Sequence, residues 1–220
     1  MKIIYHRCNH LEQITTALAY DGFESDVQVS QDGVPVLFHD NVLKNGNRVA
    51  TVRASDLPGL ITVKDFCQAL VNAGFQGEAF WELKSDDPRL PKAFGAVIAQ
   101  FKQLQHIVVS FLPQHLKAMH AIMPSVKLGL IAKDARLPDH PADFPGQCSF
   151  YQAPSVGQVE HILPDIELYT LSLEHQLCDE YAAQLPYMLS CYTVNDPQCV
   201  PDECDYVITD EPELLKDVLV

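Results

Sequence analysis

Phe23-Glu24-Ser25-Asp26-Val27-Gln28-Val29-Ser30-Gln31-Asp32-Gly33-Val34-Pro35-Val36-Leu37-Phe38-His39-Asp40 holds two alternating runs on either side of an Asp-Gly pair. Alternation at period two marks strands and Asp-Gly marks a tight turn. The strand through Phe23 is therefore expected to fold back into an antiparallel partner that ends at His39-Asp40. Around this hairpin, short β-branched or aromatic runs alternate with longer amphipathic stretches. Strands are expected at Lys2 to His6, Phe23 to Val29, Val34 to His39, Glu78 to Leu83, Ile107 to Phe111, Lys127 to Ala132, Cys148 to Gln152, Leu168 to Leu173, Met188 to Val194 and Tyr206 to Thr209. Helices are expected near 10–20, 62–73, 88–103, 113–122, 155–162, 175–184 and 211–218. Several strands are almost continuously apolar, as strands buried on both faces of a parallel sheet must be.

Repeated strand and helix predict an α/β fold, specifically a (β/α)₈ TIM barrel with a small β-hairpin extension after the second strand. Without the return strand of the hairpin, one candidate more than the barrel needs remains. The surplus is assigned to Cys148 to Gln152, in a stretch that carries Pro138, Pro141, Pro145 and Pro154. No linker, charge block or internal repeat divides the chain, so residues 1–220 are expected to form a single domain.

The chain has 220 residues and a formal net charge of −14. That balance argues against nucleic acid, whose binding needs a basic face, and against a polybasic membrane patch. An apolar fraction of 47% with 20% charged residues is that of a folded protein. Met1-Lys2-Ile3-Ile4-Tyr5-His6-Arg7 lacks the apolar run of a secretory segment, and no stretch is apolar for long enough to span a bilayer. A cytoplasmic protein without stable membrane association is expected, as a monomer or homodimer. Its seven cysteines are scattered and without a Cys-x-x-Cys pair, so free buried thiols are expected.

In such a barrel, functional groups lie where strands end at the C-terminal face. His6 and Arg7 close the first strand. Glu24 and Asp26 sit two apart in the second and point the same way, as do Glu82 and Lys84 in a later one. His39 and Asp40 end the hairpin, and Ser110 ends the strand after Glu82. Three carboxylates facing one mouth repel one another, and a hard divalent cation, Mg²⁺ or Ca²⁺, resolves the conflict. Taken singly, each residue has an ordinary alternative: Glu24 and Glu82 pair with Arg7 and Lys84, and each histidine is a half-buried core residue. Taken together, two imidazoles beside a cation and two fixed positive charges describe a site for cleaving a phosphate ester.

At these positions the chain resembles the glycerophosphodiester phosphodiesterase family, metal-dependent TIM-barrel relatives of the phosphatidylinositol-specific phospholipases C. The resemblance rests, in order, on His6-Arg7, Phe23 to Val27, Asp32 to Asp40, Glu82-Leu83-Lys84, Val109-Ser110-Phe111, Tyr192-Thr193-Val194-Asn195 and Ile208-Thr209-Asp210-Glu211-Pro212. It implies a phosphoric diester hydrolase that releases sn-glycerol 3-phosphate and an alcohol from a small-molecule phosphodiester. His6 and His39 are implied as the general acid/base pair, Arg7 and Lys84 as phosphate contacts, and Glu24, Asp26 and Glu82 as metal ligands. Asp40, left to ligate, orient His39 or cap its loop, and Asn195 are supporting candidates. Two other readings stay open: a barrel that only binds phosphate metabolites, and a lyase that forms cyclic phosphates from lysophospholipids.

Three departures from the family pattern stand out. Cys8 replaces a glycine after His-Arg, and the first loop is so short that only Asn9 and Glu12 suggest the family's Glu-Asn-Thr. Tyr192 stands where tryptophan is usual. The segment from His39-Asp40 to the helix near Thr62 is compact. A side chain at position 8 is expected to narrow the site or move the first helix. Trp81, by alternation, is expected to face the helix layer. Six further histidines, His106, His115, His120, His140, His161 and His175, show no ligand spacing and are expected at the surface or at helix ends. With three carboxylates set against Arg7 and Lys84, the site is net negative until a divalent cation enters.

Overall fold

The computed structural model describes residues 1–57, 59–132 and 154–216. The hairpin forms as expected: β2 (Gly22–Val29) pairs antiparallel with β3 (Pro35–Leu37), with Val27 opposite Leu37 and Val29 opposite Pro35. Gly33 takes φ 80° in the turn, a conformation that glycine adopts freely. The other strands are all parallel. β1 (Lys2–Tyr5), β2, β4 (Glu78–Leu83), β5 (Gln105–Ser110), β6 (Lys127–Ile131), β7 (Thr170–Glu174), β8 (Met188–Tyr192) and β9 (Tyr206–Thr209) follow one another around the barrel. β9 returns to β1, with Tyr5 opposite Thr209, and β1 pairs with β2, with Ile4 opposite Gly22. This closure makes a (β/α)₈ barrel, with β3 outside it as the extension. A side chain at Gly22 would put its Cβ 2.2 Å from the Glu78 carbonyl oxygen, so glycine is what lets β1, β2 and β4 approach there.

Strand alternation sorts the core into two layers. Ile4, Phe80, Ile107, Val109, Ile131 and Ile208 fill the barrel interior. Phe23, Val27, Trp81 and Leu83 face outward against Phe66 and Leu70 of the helix Val63–Asn72 and Phe94 of the helix Leu90–Ile98. Trp81 thus lies in the helix layer as expected, edge-on to Phe23 with ring centroids 5.3 Å apart. Its indole N–H donates to His106 Nδ1 at 3.1 Å. At the opposite end from the strand C-termini, Glu78 accepts hydrogen bonds from Lys2 Nζ at 2.9 Å and from the Tyr206 hydroxyl at 3.2 Å. That buried group ties the first and last strands together below the core.

Several boundaries differ from expectation. The helix expected over 10–20 is a 3₁₀ turn, Leu11–Gln13, followed by the short helix Ile14–Ala17. The helix expected over 88–103 ends at Ile98. The strand expected over Leu168 to Leu173 is Thr170–Glu174, whose ladders to β6 and β8 begin at Thr170, with Leu171 and Leu173 in the outer core. Cys178 and Cys191 form a disulfide between the helix His175–Tyr181 and β8, with Cα atoms 6.6 Å apart, which corrects the expectation that all thiols are free. Two elements adjacent in space bring together residues that no spacing motif linked. The expected strand Cys148 to Gln152 and His140 lie outside the described residues. Among the described residues, no helix is long and apolar enough to cross a membrane.

Phe66 packs edge-on against both Phe23 and Trp81. Its replacement, Phe66→Ala, is expected to cost about 3–5 kcal/mol of unfolding free energy. Urea melts followed by the fluorescence of Trp81, the chain's one tryptophan, will measure it.

Candidate active site

The site begins with a register. β2 and β4 run parallel with Asp26 opposite Glu82, and alternation turns Glu24, Asp26 and Glu82 toward the barrel axis. One oxygen from each of the three carboxylates lies within 4.8 Å of the others, and all three side chains are buried. Asn9 grips Asp26 reciprocally: its Nδ2 donates to Oδ2 at 2.9 Å, and the Asp26 N–H donates to Asn9 Oδ1 at 3.0 Å. Lys84 Nζ stands 3.3 Å from Asp26 Oδ1 and 3.0 Å from Glu82 Oε2.

These neighbours divide the carboxyls. Burial alone would raise Asp26, but Lys84, His39 and Asn9 hold it below the ordinary aspartate value. Burial raises Glu24 well above its ordinary value, with Asp26 and Glu82 adding to the effect. Glu82 is raised by burial and by Asp26 against the pull of Lys84. Burial would discharge Lys84, yet Glu82, Asp26 and Glu24 more than offset it, and Lys84 remains a cation. Glu24 Oε1 and Glu82 Oε1 are buried without a hydrogen-bond partner. Three converging carboxylates, two of which carry a buried oxygen without a hydrogen bond, are a donor set that fits a hard divalent cation.

Each histidine is held at Nδ1 by an acid. His6 Nδ1–H donates to Asp210 Oδ1 at 2.7 Å, and its Nε2 stands 3.8 Å from Glu24 Oε2. The His6 bond and Asn195 Nδ2, which donates to Asp210 Oδ2 at 2.8 Å, hold the Asp210 carboxyl down to about 2. His39 Nδ1–H donates to Asp40 Oδ1 at 2.7 Å, and its Nε2 accepts from Arg7 Nη2 at 2.8 Å. That pair of bonds fits only one tautomer, with the proton on Nδ1. Burial, then the nearby Lys84 charge, lowers the His39 pKa and favours the neutral ring.

The strand ends are braced from below. Ser110 Oγ donates to the Leu83 carbonyl at 2.8 Å, and His115, buried in the first turn of the helix Pro113–Ile122, donates from Nε2 to the Ser85 carbonyl. At the first loop, Arg7 takes φ 52°, in the left-handed region that costs a non-glycine residue about 1 kcal/mol or more. This turn aims the Arg7 N–H at Glu24 Oε2, 3.0 Å away, and the Cys8 N–H at the Glu24 carbonyl, 2.8 Å away. The Cys8 side chain then points into the helix-layer core and is fully buried. Contrary to expectation it does not enter the site, and burial pushes its thiol up to about 12.

A cavity of about 180 Å³ opens above these groups. His6, Arg7, Glu24, His39, Glu82 and Lys84 line it with charge, and Val109, Phe111, Ile131 and Ile208 line it with apolar surface, with Ser172, Tyr192 and Thr193 between Ile131 and Ile208 in the strand order. The structure thus brings together every residue singled out for catalysis, phosphate contact and metal ligation, except that Asp26 lies beneath the lining. Asp40 orients His39. Asn195 reaches Asp210 rather than the cavity. Glu12 is exposed in the 3₁₀ turn, away from the carboxylates, and only Asn9 of that loop joins them. The Tyr192 ring meets Phe111 edge-on, and its hydroxyl donates to the Ala132 carbonyl at 3.4 Å. Sequence reasoning did not identify Asp210 as the partner of His6, nor Ser172 as a cavity residue. The Thr170-Leu171-Ser172 alternation was the available signal for the latter.

The model of the Glycerophosphoryl diester phosphodiesterase family matches residues 5–214. No curated protein matches. Among solved structures, an Oleispira antarctica phosphodiesterase in complex with the product sn-glycerol-3-phosphate is 19% identical, with a TM-score of 0.75 over 100% of this chain and 96% of its own. A glycerophosphodiester phosphodiesterase from Thermotoga maritima is 20% identical, with a TM-score of 0.73 over 98% of this chain and 97% of its own. One from Parabacteroides distasonis is 17% identical, with a TM-score of 0.74 over 99% and 96%. The three share the fold of this chain.

Because the Glu24 and Glu82 carboxyls are raised, the folded protein holds protons that the unfolded chain releases above the ordinary glutamate value of 4.5. Their contribution to stability therefore falls as pH rises from that value toward the raised ones. In EDTA, thermal melts from about pH 5 to about pH 8 are expected to show a steeper loss of stability for the wild type than for Glu24→Gln. Identical slopes would contradict the raised carboxyls.

Proposed function

The chain belongs to the glycerophosphoryl diester phosphodiesterase family, a family of phosphoric diester hydrolases, and on that premise we propose how it cleaves its substrate. A glycerophosphodiester is split to sn-glycerol 3-phosphate and an alcohol, with His6 and His39 as the acid/base pair and Glu24, Asp26 and Glu82 as ligands of Mg²⁺ or Ca²⁺. The convergence of three buried carboxylates, two with orphan oxygens, beside two cavity-lining imidazoles that are each held at Nδ1 by a carboxylate carries this reading. The product bound to the Oleispira antarctica relative supports the substrate class.

A cation held by these carboxylates would supply positive charge to the nonbridging phosphate oxygens as negative charge builds on them. The remaining work falls to the side chains. Lys84, committed to Asp26 and Glu82, presents a fixed positive charge at the cavity wall. Arg7 is exposed, and its guanidinium moves from His39 Nε2 to the phosphate, where it binds two oxygens at once. That shift frees the lone pair of the neutral His39 ring to take the proton of the attacking oxygen, with Asp40 holding the ring in place. His6, fixed at Nδ1 by Asp210, delivers a proton from Nε2 to the leaving oxygen. A barrel that merely bound phosphate metabolites would have no need for two imidazoles oriented by separate carboxylates.

Purified protein is expected to hydrolyse a glycerophosphodiester in Mg²⁺ or Ca²⁺, with products identified by phosphorus NMR, and to stop in EDTA. His6→Ala and His39→Ala are each expected to lower kcat by about 10²–10⁴-fold. Undiminished turnover in either variant would remove the role assigned to that residue.

A further inference from the structure

Between the carboxylates at its mouth and Glu78 at its other end, the barrel interior is apolar except along β7 and β8. There Thr170, Ser190 and Ser172, each almost completely buried, form a ladder of hydroxyls that climbs between β7 and β8. Ser172 lies directly opposite Ser190 in the parallel register, and their oxygens are 2.5 Å apart. Thr170 Oγ1 lies 3.3 Å from Ser190 Oγ and donates to the Met188 carbonyl at 2.9 Å. Gly129 makes room for this arrangement, since a Cβ there would stand 2.5 Å from Thr170 Cγ2. The top rung, Ser172, is part of the cavity wall, in register with Ile131 on β6.

Counting hydrogens shows what this rung can do. Each hydroxyl has one proton and two lone pairs. The Thr170 proton goes to the Met188 carbonyl. The Ser190 proton goes up to Ser172, which accepts it with one of its two lone pairs. The Ser172 proton and its second lone pair are then free to point into the cavity. Ser172 can therefore meet either a donor or an acceptor without leaving any buried hydroxyl unpaired. A hydroxyl on a ligand is both.

We propose that Ser172 is a specificity-determining residue that hydrogen-bonds a hydroxyl on the organic arm of the phosphodiester, selecting substrates with a polyol arm over those with bare aryl or alkyl arms. The inference rests on the phosphodiesterase reading and adds a residue and a selectivity to it. The charged wall of the cavity, on β1, β2 and β4 and at His39, takes the phosphate. The opposite wall is apolar at Val109, Phe111, Ile131 and Ile208, and the Tyr192 hydroxyl is engaged by the Ala132 carbonyl, so a hydroxyl brought beside Ile131 without Ser172 would lose its water and gain no partner there.

The test compares glycerophosphocholine, which carries free hydroxyls, with bis(4-nitrophenyl) phosphate, which has none, in the same divalent cation. Ser172→Ala is expected to lower kcat/KM on glycerophosphocholine about tenfold while leaving turnover of the aryl diester within about twofold, which also shows that the variant is folded. Ser172→Thr, which keeps the hydroxyl, is expected to restore most of the difference. Equal losses on both diesters, no loss on either, or no recovery with threonine would overturn the assignment. A wild-type protein that cleaves only the aryl diester would also overturn it. A wild-type protein that cleaves neither would remove the phosphodiesterase reading itself, and the inference with it.

Discussion

Everything at the mouth of this barrel is arranged around the repulsion among three carboxylates. Buried like charges this close are unfavourable unless they are protonated or neutralised. Glu24, Asp26 and Glu82 are nevertheless fixed there by strand pairing, since Asp26 and Glu82 are cross-strand neighbours. Lys84 neutralises one charge, Asn9 holds Asp26 from the other side, and the Arg7 N–H reaches Glu24. None of these satisfies Glu24 Oε1 or Glu82 Oε1. A sequence selected only for stability would place an apolar residue at one of these positions. The conflict is local, and the apolar layers below and outside it carry its cost.

What the sequence disclosed, and what it did not, follows from the range of the interactions. Period-two alternation is a local property, so Glu24 with Asp26 and Glu82 with Lys84 could be assigned to one face from spacing alone. The Asp-Gly turn brought His39 and Asp40 back to the same end. Trp81 was placed outward by the same rule. Asp210, by contrast, meets His6 from 204 positions away, and only the closure of β9 on β1 brings them together. The disulfide and the hydroxyl ladder also depend on which strand lies beside which. Helix ends were over-extended because amphipathic spacing continues after the backbone hydrogen bonds stop, as beyond Ile98.

The shortened first loop shows how a departure in sequence is absorbed. A side chain at position 8 is expected to narrow the site or move the first helix. Instead the left-handed conformation at Arg7 turns the chain so that Cys8 enters the outer core and Asn9, the next residue, arrives at Asp26. The compact segment after His39 is organised differently, around its own small apolar cluster of Val36, Val49 and Leu57. The Arg48 guanidinium secures it to Asp86, 2.7 Å away, just past the end of β4.

The pairing of β1 with β9 also sets an order of events during synthesis. Lys2 pairs with Tyr206, and the His6 N–H donates to the Thr209 carbonyl at 2.8 Å. β1 has β2 as one neighbour from early on, and its other edge stays unpaired until β9 has been made. Until the final strand leaves the ribosome the growing sheet has two open edges, β1 on one side and the newest strand on the other, and His6 has no acid to orient it. Fold closure and completion of the His6–Asp210 pair thus coincide with the arrival of β9 and Asp210, so a chain that still lacks them cannot carry a finished active site.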